Sequence, residues 1–185
     1  MKKYLALIVA ATLVGAAWAQ AAEKSSGNPA LKTGVREVAL SGNYDPDAAD
    51  DYSLNLNAAY GQFVIDNLEL GVRGLYKGSD HIDIEGIQGF AEYNLDLGSK
   101  WVPYGRVAAG WLGGQVSDPN TTNDESADTS AFAVAGGVKY FITEWVALGA
   151  DVEYTKASDD IFVNDDGELE DDDVEVNLSL RIFLP

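Results

Sequence analysis

An all-β chain closing into an eight-stranded, antiparallel, up-and-down transmembrane β-barrel is the architecture expected from three features of this 185-residue sequence. Residues 34–183 divide into eight segments of roughly 9–12 residues, each alternating apolar with small or charged side chains. Most segments carry an aromatic residue near one or both ends, and the chain starts with an export signal. The alternation is plainest from Val174 to Ile182, where Val174, Val176, Leu178, Leu180 and Ile182 interleave with Glu175, Asn177, Ser179 and Arg181. A strand places successive side chains on opposite faces, so one face is greasy and the other polar. A soluble sandwich would alternate too. Aromatic ends together with export point instead to lipid outside and polar side chains inside.

Residues 1–21 read as the signal peptide. Lys2 and Lys3 give the positive start, Leu5 to Val14 the apolar run, and Ala19-Gln20-Ala21 a small-x-small cleavage site, with cutting expected after Ala21 and cutting after Ala19 nearly as good. A retained anchor fits less well, because the run is short for a bilayer and is followed by Gly15, Gln20 and Glu23. Residues 22–33 read as a flexible leader and residues 34–185 as the barrel domain, one domain by length.

The expected strands follow in order. The first is Gly34–Tyr44, ahead of the polar loop Asp45–Asp50. The second, Asp51–Gln62, sets Tyr52, Leu54, Leu56, Ala58 and Tyr60 against Ser53, Asn55, Asn57, Ala59 and Gly61. A tight connection, Phe63–Asn67, leads to Leu68–Lys77, with Leu68, Leu70, Val72, Gly74 and Tyr76 opposite Glu69, Gly71, Arg73, Leu75 and Lys77. In the fourth, Ile82–Tyr93, Ile82 and Ile84 fall on the opposite parity to Ile87, Ala91 and Tyr93, which predicts a bulge near Gly86. The fifth is Trp101–Leu112 and contains Pro103, unusual in a ladder because proline has no N–H to donate. A long polar loop, Gly113–Ser130, precedes Ala131–Ile142. After a turn at Thr143-Glu144 comes Trp145–Ala157, then the most acidic loop, Ser158–Asp173, and the closing strand. Compact links thus alternate with long or acidic ones, as short turns and longer external loops do in membrane barrels.

Aromatic spacing gives a second measure. Tyr52 to Tyr60, Trp101 to Trp111, Phe132 to Tyr140 and Trp145 to Tyr154 are taken as girdle pairs facing lipid. Eight to ten residues at about 3.3 Å each span roughly 26–33 Å along a strand, or roughly 20–25 Å of membrane normal at a tilt of about 40°.

The non-greasy parity collects Glu37, Glu69, Arg73, Lys77, Glu92, Arg106, Lys139, Asp151, Glu153, Glu175 and Arg181, six acids and five bases. Buried charge is costly unless paired, so a near-balanced set on one face predicts a salt-bridged interior. Eight strands leave a lumen only wide enough for side chains, which favours a packed plug over a conducting pore. The acidic excess then belongs to the loops. Losing Lys2 and Lys3 takes the formal charge from −18 to about −20, which repels nucleic acid and attracts divalent cations. With no cysteine there is neither a disulfide framework nor a lipoprotein attachment site.

These passages resemble the small eight-stranded outer-membrane β-barrels of the OmpA/OmpX and opacity-protein group. The resemblance covers essentially the whole mature chain. It rests on the signal peptide, on Gly61 to Gly71 (GQFVIDNLELG), on Pro103-Tyr104-Gly105 and on Gly137-Val138-Lys139-Tyr140-Phe141. It implies a Gram-negative outer membrane, termini and leader in the periplasm, and roles in envelope integrity, adhesion or surface recognition. The implied partners are outer-membrane lipid and lipopolysaccharide, and a host or cell-surface ligand at the loops. That family usually ends on an aromatic residue recognised during assembly, whereas here Leu184 and Pro185 follow Phe183.

No catalytic site is expected. Some barrels of this size act on lipid A through histidine with serine or acidic partners. The single histidine, His81, has only Ser79 nearby as a nucleophile, beside Asp80 and Asp83. No cofactor is expected either, beyond weak Ca²⁺ or Mg²⁺ attraction in the last loop. Aligning Gly167 with the glycine of a calcium loop puts Asn164, Asp166, Glu168, Glu170 and Asp173 at ligand positions, but Phe162 at position one cannot ligate. The reading is a non-catalytic outer-membrane barrel with a closed interior and acidic recognition loops. Its rivals are a soluble barrel binding an apolar ligand, a narrow channel, and a lipid-modifying enzyme.

Overall fold

The computed structural model describes residues 27–48, 51–78, 82–116, 125–163 and 169–185. The signal-peptide assignment and residues 22–26 of the leader therefore lie outside the described residues, as do Ser79, Asp80 and His81. The chain forms β1 (Arg36–Ala48), β2 (Asp51–Ile65), β3 (Leu68–Gly78), β4 (Ile82–Asn94), β5 (Trp101–Val116), β6 (Glu125–Phe141), β7 (Val146–Ala157), β8 (Phe162–Val163), β9 (Leu169–Glu170) and β10 (Asp172–Leu184). Eight of these close into one antiparallel barrel in the order β1-β10-β7-β6-β5-β4-β3-β2, while β8 and β9 make a separate short ribbon. Closure leaves the barrel no edge, so each of its eight strands pairs with two neighbours, as a chain crossing hydrocarbon must.

Both described termini lie at one end, where Arg36 pairs with Leu184. The compact links between β2 and β3, β4 and β5, and β6 and β7 are at that same end, called here the terminus end. The other, the loop end, carries the two longest connections, between β5 and β6 and between β7 and β10. Asp66 and Asn67 make the β2–β3 turn, and Asn67 takes a left-handed φ of 69°, which asparagine tolerates.

Three expectations need correction. β4 has no bulge near Gly86: its pairing runs without a break from Leu68↔Tyr93 to Gly78↔Asp83 on one side and from Ile82↔Val116 to Asn94↔Tyr104 on the other. The parity conflict arises because Ile84 and Phe90 point inward, buried at 3% and 9% exposure, while Ile87 is outward. The interior is thus not purely polar. Next, both described ends of the loop Gly113–Ser130 are strand. β5 and β6 stay paired out to Val116↔Glu125, and β1 likewise continues through Asp45↔Ser53. Backbone pairing extends strands through polar sequence because each N–H and C=O needs a partner whatever the side chain. Finally, the leader is folded over its last residues. Asn28 caps a short 3-10 turn, Pro29–Leu31, in which Ala30 and Leu31 are fully buried.

The outward face is apolar. Leu40, Leu56, Val72, Ile87, Trp111, Leu148, Val176 and Leu178 are 49–69% exposed. In water each such side chain would forgo roughly 1.5–3 kcal/mol of burial. The soluble, apolar-ligand barrel needs these residues inside, and they are outside.

Candidate functional site

The inward face holds every charge assigned to it from the sequence. Glu37, Glu69, Arg73, Glu92, Lys139, Asp151, Glu153 and Arg181 are buried, Arg106 is nearly so, and Lys77 and Glu175 are partly exposed near the loop end. They reach one another across the lumen. Lys139 Nζ lies 2.7 Å from both Glu37 Oε2 and Glu92 Oε1. Arg181 Nη1 donates to Glu37 Oε1 at 2.7 Å and to Glu92 Oε1 at 3.2 Å, and its Nη2 donates to the Tyr104 hydroxyl at 2.8 Å. Tyr104 in turn donates to Asp151 Oδ2 at 2.6 Å. Arg106 bridges to Glu153 at 2.9 Å, and Arg73 grips the same carboxylate with two hydrogen bonds of 2.7 and 2.8 Å. Arg73 also donates twice to Gln88 Oε1. Bidentate, charge-assisted pairing of this kind is what offsets the desolvation of so many charges.

Small residues make the room. A Cβ on Gly137 would strike Asp151 and Tyr104, and one on Gly61 would strike the Glu69 carboxylate. Tyr104 pairs across the strands with Gly137, and Phe90 with Gly71.

Glu37, Glu69 and Glu92 can bring one oxygen each within 4.8 Å of one another, a spacing that could suit a metal ion. The Lys139 ammonium already bridges Glu37 and Glu92, and Arg181 takes further oxygens of both. The cluster is therefore a counter-ion site for two bases. Glu69 stands apart: among the described residues no base forms an ion pair with it, and its buried Oε2 has no hydrogen-bond partner.

An apolar seal closes the terminus end. Ala30, Leu31, Val35, Phe63, Val102, Phe141, Ala147 and Phe183 pack together, with Trp145 against them. The Phe141 and Phe183 ring centroids are 5.1 Å apart. The seal is latched from outside. Asp66 Oδ1 accepts from Thr33 N and from Thr33 Oγ1, each at 2.9 Å, while Oδ2 accepts from Lys32 Nζ at 2.9 Å. These donors, the Thr33 backbone N–H first, hold the Asp66 carboxyl down at about 2. Asn28 N donates to Asp96 at 2.6 Å and Asn67 N to Leu31 O at 2.8 Å.

The loop end is built differently. Ile161 and Phe162 fold in from the last loop and bury against Ile84, Leu112, Ala131 and Ala157. Beneath them Lys77 Nζ pairs with Asp173 at 2.5 Å and with Glu175 at 3.1 Å, 5.5 Å from the centroid of the Phe162 ring.

Asp173 was assigned to a loop calcium site, but it shares the inward parity of Glu175 and is held by Lys77. Asn164, Asp166 and Glu168 lie outside the described residues, and Glu170 pairs its backbone with Phe162 in the β8–β9 ribbon. Among the girdle residues Tyr60, Trp101, Trp111 and Phe132 are well exposed, and Trp101 stacks on Tyr140 with centroids 4.6 Å apart. Tyr140 and Tyr154 are half-buried, and the side chain of Tyr52 lies outside the described residues. Trp145 is not a girdle residue. It precedes β7 and packs on the terminus seal, as its odd separation of nine residues from Tyr154 requires. Tyr104, Gln88 and Asn55 join the interior hydrogen bonds, a role that the sequence reading assigns to none of them although Asn55 stands there on the polar face of its strand. The available signal was their parity, together with a glycine opposite Tyr104.

A family model for the outer membrane protein beta-barrel domain matches residues 7–181. The chain belongs to this family of outer-membrane β-barrels. Its fold is similar to the N-terminal beta-barrel domain of Pseudomonas aeruginosa OprF, at 18% identity and a TM-score of 0.56, over 82% of this chain and 98% of that one. It is also similar to Neisserial surface protein A, at 18% identity and a TM-score of 0.54, over 80% of this chain and 94% of the other. No curated protein matches the sequence. At such identities the structural neighbours speak for the fold alone.

Proposed function

We propose that this chain is a closed, non-catalytic barrel of the Gram-negative outer membrane whose loop end is an acidic recognition surface. The observation that carries the reading is the filled interior. An ion-pair layer linking seven of the eight barrel strands lies between an apolar seal and an apolar cap. A pore would need a continuous wet path, and a lipid-facing enzyme would need a base and nucleophile at the rim. The barrel contributes a membrane body held by outer-membrane lipid, and the acidic loops meet lipopolysaccharide and a cell-surface ligand. Export by the signal peptide would deliver it there. Membrane fractionation tests the reading together with planar-bilayer recording. Extraction only by detergent, heat-modifiable gel migration and no steady conductance are expected. A chain recovered folded in plain buffer, or one giving regular single-channel steps, would overturn it.

A further inference from the structure

We propose that the loop-end mouth of the barrel binds one hard cation, calcium, at a site made by Asp173, Glu175 and Asn55. The site goes beyond the recognition surface above, because its ligands point into the barrel and lie on β2 and β10, not on the loops.

Three observations meet there. A cavity of about 40 Å³ lies under Phe162, lined among others by Asn55, Asn57, Thr155, Asp173 and Glu175. That is room for an ion with one or two waters, since a single water needs roughly 10–15 Å³ on this measure. Asn55 is 5% exposed, and its amide nitrogen donates to Asn43 Oδ1 at 2.8 Å and to Glu175 Oε1 at 2.9 Å. Its Oδ1 is buried without any partner. An acceptor left bare beside a cavity that two carboxylates enter, its apolar walls Leu75, Ile84, Leu112 and Phe162, calls for a donor or a cation.

Charge is the third. Two carboxylates, Asp173 and Glu175, share one base, Lys77. The remaining acid on the cavity wall, Glu153, is taken up by Arg73 and Arg106 below. The mouth thus keeps one uncompensated negative charge. Its donors are carboxylate, amide and hydroxyl oxygens with no nitrogen or sulfur ligand, the set that suits calcium. Lys77, Asp173 and Glu175 are 20–28% exposed, so the mouth is reachable from the solvent. The lysine acts as a built-in competitor: calcium takes its carboxylates and the ammonium swings out.

That competition makes the test directional. Calorimetric titration of the detergent-refolded barrel with calcium chloride should give one site with a Kd on the order of 10⁻⁴ to 10⁻³ M. Asn55→Ala and Asp173→Asn should each weaken it tenfold or more. Lys77→Met should tighten it about tenfold. Heat-modifiable migration verifies that each variant is folded. Should Asp173→Asn fail to fold, Lys77→Met still decides, because diffuse attraction to loop acids is indifferent to an inward lysine. Isotherms unchanged in Lys77→Met, or binding without a defined stoichiometry, would overturn the proposal.

Discussion

Lys139 and Lys77 are the same residue in the same local arrangement at opposite ends of one lumen. Each bridges two carboxylates and lies near a phenylalanine ring, Phe183 for Lys139 and Phe162 for Lys77. Lys139 is fully buried under the terminus seal, whereas Lys77 is 28% exposed beneath a cap that comes from a loop. Burial alone separates their roles. A dry ammonium cannot leave without unbalancing the buried charge around it, so the terminus end is structure. A half-wet one can exchange with water or another cation, so the loop end is where a ligand can act.

Substitutions at the two ends can break this contrast, and the largest effect belongs to the buried lysine. Lys139→Met leaves two buried carboxylates, Glu37 and Glu92, sharing Arg181 and so one buried charge uncompensated, and should cost about 3–5 kcal/mol in denaturant unfolding from micelles. Leu31→Ala, which opens a hole in the seal, should cost about 2–4 kcal/mol in the same assay. Leaving stability untouched there would mean that the leader only rests on the barrel. Glu69→Gln, which removes the carboxylate lacking a counter-ion, should raise stability by about 1 kcal/mol. Lys77→Met should cost no more than about 1 kcal/mol, since its partners keep contact with water. A loss equal to that of Lys139→Met would erase the distinction.

The smallest effect is a pH dependence at the latch. Asp66 titrates lower folded than unfolded, so its contribution is complete above the ordinary carboxylate range and fades as pH falls towards about 2. Asp66→Asn should flatten that part of the stability–pH curve. An unchanged acid limb would show that the Lys32 and Thr33 contacts do not hold in solution.

Strand count, face and the inward charges were legible in the sequence because period-two alternation is a local signal. What escaped was decided elsewhere in the chain. Phe90 and Ile84 look like lipid-facing residues on their own strand. Only the glycine opposite Phe90 and the cap over Ile84 make an inward apolar side chain comfortable. Strand ends were underestimated wherever the sequence turned polar, since pairing follows backbone needs. Ala30 and Leu31 gave no periodic signal, being too few to show one. Asp173 was read with its acidic neighbours, although its parity already put it with Glu175.

Which parity touches hydrocarbon decides whether the barrel sits in a membrane. The chain has no cysteine, so single labels are unambiguous. Leu178→Cys and Ser179→Cys, each carrying a small fluorophore, can be placed in vesicles of brominated lipid. Strong bromine quenching at 178 and little at 179 is the result expected from residues 67% and 6% exposed. Quenching at 179 with 178 protected would turn the barrel inside out and contradict the account.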